Sequence, residues 1–187
     1  GNGVVLITTK KGAVGSGRIT YDFQYTTESL AKMPKLMNAE EYIQYMKEGK
    51  TFTEDYLLKN WDGKTNTSWV DAIYGKGHMQ KHNIGFNGGN QNGNYYLSLT
   101  YLDNNGMVKG DNDVYRRMTA TINAEYQIKP WLKVGTTNQI EKYNVRSVSE
   151  NNEYGGMLTA VLQMDPLTPV TYAPDNLPAH MAKALAN

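Results

Sequence analysis

The sequence contains no cysteine, and this absence excludes a disulfide framework and any metal site built on thiolates. No apolar run approaches the roughly 20 residues that a membrane-spanning helix needs. An excess of one charge is also missing, because 19 Lys and Arg stand against 18 Asp and Glu. We therefore predict no nucleic-acid partner, which would require a clustered basic face. These absences do not exclude a transmembrane β-barrel, because its strands need only about 10 alternating residues each.

Phenylalanine and tryptophan are scarce, with 3 of each, whereas tyrosine occurs 14 times. Tyrosine combines an apolar ring with a polar tip. A tyrosine excess therefore suits an interface, either that of a membrane or that of a site for a polar ligand.

Five segments alternate apolar and polar side chains with a period of two, the pattern of a strand with one apolar face. They begin near Ile19, His82, Tyr95, Arg117 and Leu132, after an earlier strand-like run at residues 4–9 and a glycine-rich linker at 12–17. The connections between them alternate in length: residues 27–80, 88–93, 103–114, 129–130 and the segment after 146. Short turns on one rim and long loops on the other are typical of an up-and-down outer-membrane barrel. A soluble barrel has the same period with its apolar face inward.

The polar side of these segments is rich in Thr, Asn, Gln, Arg and Glu, which suits a water-filled lumen. The residues that we predict to face the lumen are Asp22, Gln24, Asn83, Ser98, Thr119, Asn123 and Glu125. Aromatic residues near the strand ends, at 115, 126, 131 and 143, resemble an interfacial girdle. Three of them, at 115, 131 and 143, are out of phase with the apolar face.

Two stretches have a helical rather than a strand-like pattern. Asn38 as N-cap, Glu41 three residues later and Gly49 as a stop predict a helix between them. A second helix is predicted near residues 157–164. Residues 50–78 are polar and we expect them to be irregular.

Motifs that could carry chemistry are incomplete. The stretch GGNQNGN at 88–94 lacks the Lys and Ser/Thr of a phosphate-binding loop and predicts a hairpin turn. Turns at Asp103 and Asp111 lack the later Glu of a calcium loop, and His78 and His82 have no third ligand nearby. No catalytic arrangement can be argued from spacing, so we predict no enzymatic activity, no metal site and no cofactor.

One loop contains residues suited to carbohydrate. Trp61, Asp62 and Trp69 could stack on a sugar and hydrogen-bond to it. Packing within the loop explains the same three residues equally well, so they are candidate ligand-binding residues only.

Six ordered segments resemble the SusC/RagA family of TonB-dependent outer-membrane transporters. They are GNGVVLITTKKG, LMNAEEYIQYMKEG, WVDAI, NGNYYLSLTYLDNNGMVKG, RRMTATINAEYQIKPWLKVG and MDPLTPVTY. The resemblance implies an all-β fold, part of a large antiparallel transmembrane β-barrel of about 22 strands, with an N-terminal plug strand and long extracellular loops containing short helices. Residues 1–17 then end the plug domain and link it to the barrel, and residues 18–187 form the first barrel strands and loops.

The same resemblance implies a function in the outer membrane of a Gram-negative bacterium. Proteins of this family import oligosaccharides or peptides, with energy supplied through TonB and with a SusD-like surface lipoprotein as partner. The TonB-coupling segment is expected to lie outside this sequence. The alternative is a soluble or surface-attached β-rich module that binds glycans. The two differ in where Ile19, Tyr21, Phe23 and Tyr25 point, to lipid in the first and to a core in the second.

Overall fold

The computed structural model describes residues 15–49, 61–149 and 155–172. In chain order the described elements are β1 (Gly15–Glu28), α1 (Ala39–Glu48), α2 (Trp69–Ile73), β2 (Gly77–Asn90), β3 (Gly93–Asn105), β4 (Val114–Lys129), β5 (Leu132–Arg146) and α3 (Met157–Gln163). Across these ranges, no helix has the length and apolar character required to cross a membrane.

The five strands form one antiparallel sheet in the order β1-β2-β3-β4-β5, so that each strand pairs with its neighbours in sequence. This confirms the all-β antiparallel class and the five alternating segments. The predicted linker at 12–17 is wrong in its last residues, because β1 already begins at Gly15. The predicted strand at 4–9 lies outside the described residues.

Both short connections between strands are two-residue turns, and they lie at the same end of the sheet. Between β2 and β3 the carboxamide oxygen of Asn90 accepts hydrogen bonds from the backbone N–H of Asn92 at 2.9 Å and of Gly93 at 3.0 Å. This confirms the predicted hairpin turn, since an Asn side chain commonly closes a turn in this way. Between β4 and β5 the turn is Pro130–Trp131, with Lys129 paired to Leu132.

Gly88 within β2 lies so close to the ring of Tyr95 that a larger residue would not fit at this position without a shift of its neighbours. Tyr95 pairs directly with Gly88, and a Cβ atom added at Gly88 would lie 2.7 Å from the Tyr95 hydroxyl and 3.1 Å from the Gly17 Cα. The tyrosine side chain therefore extends across β2 towards β1 because neither glycine has a side chain there.

The helices belong to a second compact unit, which contains the described residues of 30–75 and of 148–172. Asn38 caps α1 as predicted: its side-chain oxygen accepts from the Glu41 N–H at 2.8 Å, and the Glu41 carboxylate accepts from the Asn38 N–H at 3.0 Å. The second predicted helix is also confirmed, as α3.

The expectation of irregular structure at 50–78 is wrong for part of that range. Residues 69–73 form α2, with Ser68 as its N-cap, and β2 begins at Gly77. Five residues are too few to show a helical period in the sequence. Residues 50–60 lie outside the described ranges.

Candidate functional site

The strand register divides the sheet into two faces, because side chains of directly paired residues lie on the same face. All seven residues predicted to face the lumen share one of them, which we call the polar face: Asp22, Gln24, Asn83, Ser98, Thr119, Asn123 and Glu125. The opposite, apolar face carries Ile19, Tyr21, Phe23, Tyr25, Leu97, Leu99, Ile122 and Val134. The structure thus brings the predicted residues together on one surface, while its exposure to a lumen stays a prediction.

Hydrogen bonds connect neighbouring strands across the polar face. The Asn83 amide donates to the Asp22 carboxylate at 3.2 Å, and the Thr100 hydroxyl donates to the Asn83 side-chain oxygen at 2.8 Å. A cavity of about 500 Å³ lies beside these residues and is also lined by Lys81 and Tyr96. Sequence reasoning did not single out Thr100, Lys81 or Tyr96, although all three are in phase with the polar set.

Several side chains of the sheet show the reverse of the burial found in a water-soluble protein. Ser98 and Asn123 on the polar face are only 6% and 5% exposed, whereas Ile19 on the apolar face is 70% exposed. Tyr21, Phe23 and Tyr25 are each more than half exposed. Large apolar side chains are normally the most buried, and polar side chains the most exposed. The apolar face of the described sheet is therefore the one that needs an apolar partner.

Aromatic side chains on the apolar face occur at both ends of the sheet and also between them, where Tyr21, Phe86 and Tyr101 lie. Phe23 and Tyr25 lie towards the end where β1 leaves the sheet, and Tyr95 and Tyr126 lie near the two-residue turns. As the sequence phase indicated, Tyr115 and Tyr143 lie on the polar face instead.

The two histidines of β2 lie on the apolar face, four residues apart. A strand rises about 3.3 Å per residue, so their Cα atoms are separated by roughly 13 Å, too far for both to bind one metal ion. His82 instead contacts aromatic side chains. Its Nδ1 lies 2.8 Å from the Tyr21 hydroxyl oxygen, and its ring centroid lies 4.9 Å from that of Phe23.

The three candidate ligand-binding residues already have hydrogen-bond partners within the helical unit. The indole N–H of Trp61 donates to the Thr65 carbonyl at 2.8 Å, and that of Trp69 donates to the Asp165 carbonyl at 2.7 Å. The Asp62 carboxylate accepts from the backbone N–H groups of Lys64 and Thr65. Trp61 and Asp62 lie in one loop, whereas Trp69 lines a separate cavity. Their role in binding a ligand stays a prediction.

Two carboxyl groups and one phenol in this unit have shifted pKa values. The backbone N–H of Thr65, then that of Lys64, lowers the pKa of Asp62. The backbone N–H of Asn38, and next Lys35, lowers the pKa of Glu41. Burial raises the pKa of Tyr42, with a smaller contribution from the negative charge of Asp165.

Two segments nearly a hundred residues apart join around Trp69. The Thr67 N–H donates to the Pro166 carbonyl at 2.9 Å, and the Thr67 hydroxyl donates to the Thr168 carbonyl at 2.7 Å. Beside them a cavity of about 290 Å³ is lined by apolar and polar side chains, among them those of Trp69, Asn66, Asp71 and Met164. No local pattern in the sequence indicated that residues 165–168 pack against this loop.

Comparison with known proteins finds TonB-dependent receptors. The chain is 31% identical over 176 residues to the TonB-dependent receptor SusC of Bacteroides thetaiotaomicron, covering 90% of this chain and 16% of SusC. It is 31% identical over 134 residues to the TonB-dependent receptor P3 of Formosa agariphila, covering 72% of this chain and 12% of that receptor. No protein-family model matches the chain.

Solved structures of the RagAB peptide transporter resemble the fold. One such structure has 25% sequence identity and a TM-score of 0.68 over 85% of this chain and 21% of the solved chain. The RagAB peptide importer in an open-open state has 24% identity and a TM-score of 0.69 with the same coverage. The chain therefore spans about a fifth or less of the length of these relatives.

Proposed function

This chain belongs to the SusC/RagA family of TonB-dependent receptors, and from that premise we propose that it forms part of an outer-membrane importer of oligosaccharides or peptides. Barrel strands begin with β1 at Gly15, and the residues before it supply the end of the plug and its link to the barrel. Energy reaches the importer through TonB. A SusD-like lipoprotein covers the importer. The observation that carries this proposal is that large apolar side chains of the sheet are exposed, whereas Ser98 and Asn123 on the polar face of the central strands are buried.

The dimensions of the apolar face support a position in lipid. On β4 the apolar positions extend from Met118 to Ile128, and ten steps of about 3.3 Å make roughly 33 Å along the strand. At a tilt near 45° this length spans about 23 Å, close to the apolar band of about 25 Å in outer-membrane barrels. The polar face then lines the lumen, where the network of Asp22, Asn83 and Thr100 contacts water or the plug.

Connection lengths support an orientation. Both two-residue turns lie at one end of the sheet, and the connections 29–76 and 106–113 leave its other end. Outer-membrane barrels keep short turns in the periplasm and long loops outside. The helical unit is therefore extracellular in this proposal, and residues 50–78 and 146–187 bind the ligand and the lipoprotein. The hydrogen bonds between Thr67 and residues 166–168 support a joint role for the two loops.

Epitope insertion into the full-length protein tests localisation and orientation together. An epitope inserted at Lys64 should be labelled by antibody on intact cells, whereas one inserted at Asn92 should be labelled only after the outer membrane is permeabilised. Labelling of Asn92 alone on intact cells would invert the orientation. Recovery of both proteins in a water-soluble fraction would overturn the proposal.

Uptake measurements test the transport function. Deletion of the gene should abolish growth on one class of oligosaccharide or peptide as sole nutrient, and deletion of TonB should cause the same defect. A plasmid-borne copy should restore growth in the first strain only. Unchanged uptake without TonB would contradict the proposed energy coupling.

A further inference from the structure

Charged side chains are distributed unequally between the two faces of the sheet. By register, the polar face carries Arg18, Lys81, Arg117 and Lys133 together with Asp22, Glu28, Glu125 and Glu141. The apolar face of the described strands carries Arg116, Lys142 and Arg146, with Lys129 paired to Leu132 beside the turn where the register shifts, but of the acids only Asp103. The described strands therefore balance their charges on the polar face and leave an excess of positive charge on the apolar face.

Three basic residues of the apolar face, at the end of the sheet away from Lys129, form one group, which we call the cationic patch: Arg116, Lys142 and Arg146. Arg116 pairs directly with Asn144, two residues from both Lys142 and Arg146. Diagonal neighbours on one face lie about 7–8 Å apart at Cα, within reach of long side chains. One phosphate group can therefore be contacted by Arg116 together with either neighbour.

Existing contacts neutralise only part of the patch. The Arg116 Nε lies 3.2 Å from a carboxylate oxygen of Asp103. Lys142 and Arg146 lie on the last described strand and are both exposed there, and Arg146 donates a 3.5 Å hydrogen bond to the neutral Asp111 carbonyl oxygen. On the polar face, by contrast, Lys133 lies 2.7 Å from Glu125, and Arg117 lies 3.8 Å from Glu141.

We propose that the cationic patch binds the phosphorylated headgroup of a glycolipid in the outer leaflet of the membrane, a proposal that rests on the proposed function. The patch lies at the end of the sheet opposite the two-residue turns, which is the extracellular end in that orientation. Phosphate oxygens fit Arg and Lys donors, and anionic headgroups attract basic residues at a membrane surface.

The apolar surface beside the patch supports a lipid rather than a soluble phosphate compound. A cavity of about 380 Å³ on the same face crosses the sheet from Lys142 and Ile140 on β5, past Met118 and Leu99, to Ile84 on β2. Met118 pairs directly with Lys142 in the register. A lipid can therefore place its phosphate at the patch and an acyl chain along this groove.

The test uses the full-length receptor in detergent and native mass spectrometry, with purified lipid A carrying both phosphates as the probe. The variant Lys142→Gln/Arg146→Gln leaves the Arg116–Asp103 contact intact. Its affinity for the probe should fall about thirtyfold, the effect expected for two basic residues near a membrane surface. The variant Lys142→Arg/Arg146→Lys keeps both charges and should retain most of the affinity.

A matched control removes two positive charges from the polar face, as Arg18→Gln/Lys133→Gln. The control should bind the probe with the affinity of the wild type. Lipid A without phosphates should bind the wild type as weakly as the phosphorylated probe binds the Lys142→Gln/Arg146→Gln variant. An equal loss in the control, unchanged binding by the patch variant, or tight binding of the dephosphorylated lipid would overturn the proposal. Each variant is first shown to be folded by its heat-dependent mobility in gels. The Lys64 epitope is labelled on intact cells of the same strain as a separate measurement. If labelling succeeds but the patch variant binds the probe normally, only the lipid-binding proposal fails. If labelling also fails, the proposed function fails.

Discussion

Gly88 and Tyr95 illustrate how a single missing side chain fixes the position of another. A methyl group at Gly88 would clash with the ring of Tyr95 on β3 and with the backbone of Gly17 on β1. The glycine therefore leaves space for residues of both neighbouring strands. Overpacking of this kind costs about 1–3 kcal/mol in well-packed sites. The alternation of β2 gave no hint of this contact, because a glycine fits either phase of a strand.

The double-mutant cycle of Gly88→Ala and Tyr95→Leu tests that contact. In the full-length receptor, Gly88→Ala should lower the free energy of unfolding by about 1–3 kcal/mol in a urea titration. In the Tyr95→Leu background the same substitution should cost less than half as much, because the ring is gone. Additive effects of the two substitutions would show that the clash is not with the tyrosine.

Asn38 is the residue whose role the sequence predicted most completely, since both halves of its capping box are formed. Asn38→Ala should accelerate amide hydrogen exchange of α1 about fivefold, the effect of losing about 1 kcal/mol from an N-cap. Asn38→Asp keeps the acceptor oxygen and should leave exchange nearly unchanged. Equal exchange in all three proteins would contradict the capping role.

The lowered pKa of Glu41 gives the stability of α1 a pH dependence with a defined sign. A carboxyl whose pKa is depressed on folding contributes stability above its ordinary value of 4.5, and that contribution is lost as pH falls through the lowered folded pKa. Protection of α1 from exchange, corrected for the intrinsic rate, should therefore decrease below about pH 4.5. Glu41→Gln should remove this pH dependence, and a loss of protection as pH rises would contradict the assignment.

Among the strands, the sequence predicted β3, β4 and β5 better than β2. Their alternation is continuous, whereas the first residues of β2 include a glycine, histidines and Gln80 that hide the apolar phase. The short helix α2 was missed because its five residues make less than two turns. The packing of residues 165–168 against Thr67 and Trp69 could not be predicted, because no local pattern encodes a contact between segments so distant in sequence.

Arginine substitutions on the two faces of neighbouring strands test the face assignment. Leu99→Arg should lower the free energy of unfolding of the refolded full-length receptor in lipid by about 2–4 kcal/mol, because a charge then lies in the apolar band. Thr119→Arg places the same side chain on the polar face and should cost much less. Equal costs in a urea titration would contradict the assignment.

A place in a membrane barrel requires that the apolar face of the sheet contacts lipid and that its polar face contacts water. Sequence alternation predicted both sets of residues, but not which of them would be covered. Soluble and membrane barrels share a period of two. In the described sheet the apolar side chain of Ile19 is exposed and the polar side chain of Ser98 is buried, and this difference favours the membrane barrel.

A spin-label scan of β4 in the full-length receptor in lipid measures that distinction directly. This chain contains no native cysteine, so single cysteines at residues 118 to 125 can be labelled without interference from within it. Collisions with oxygen, which concentrates in lipid, should be frequent at residues 118, 120, 122 and 124. Collisions with a water-soluble nickel complex should be frequent at 119, 121, 123 and 125. The opposite phase, or even-numbered positions that neither reagent reaches, would contradict a lipid-facing apolar surface.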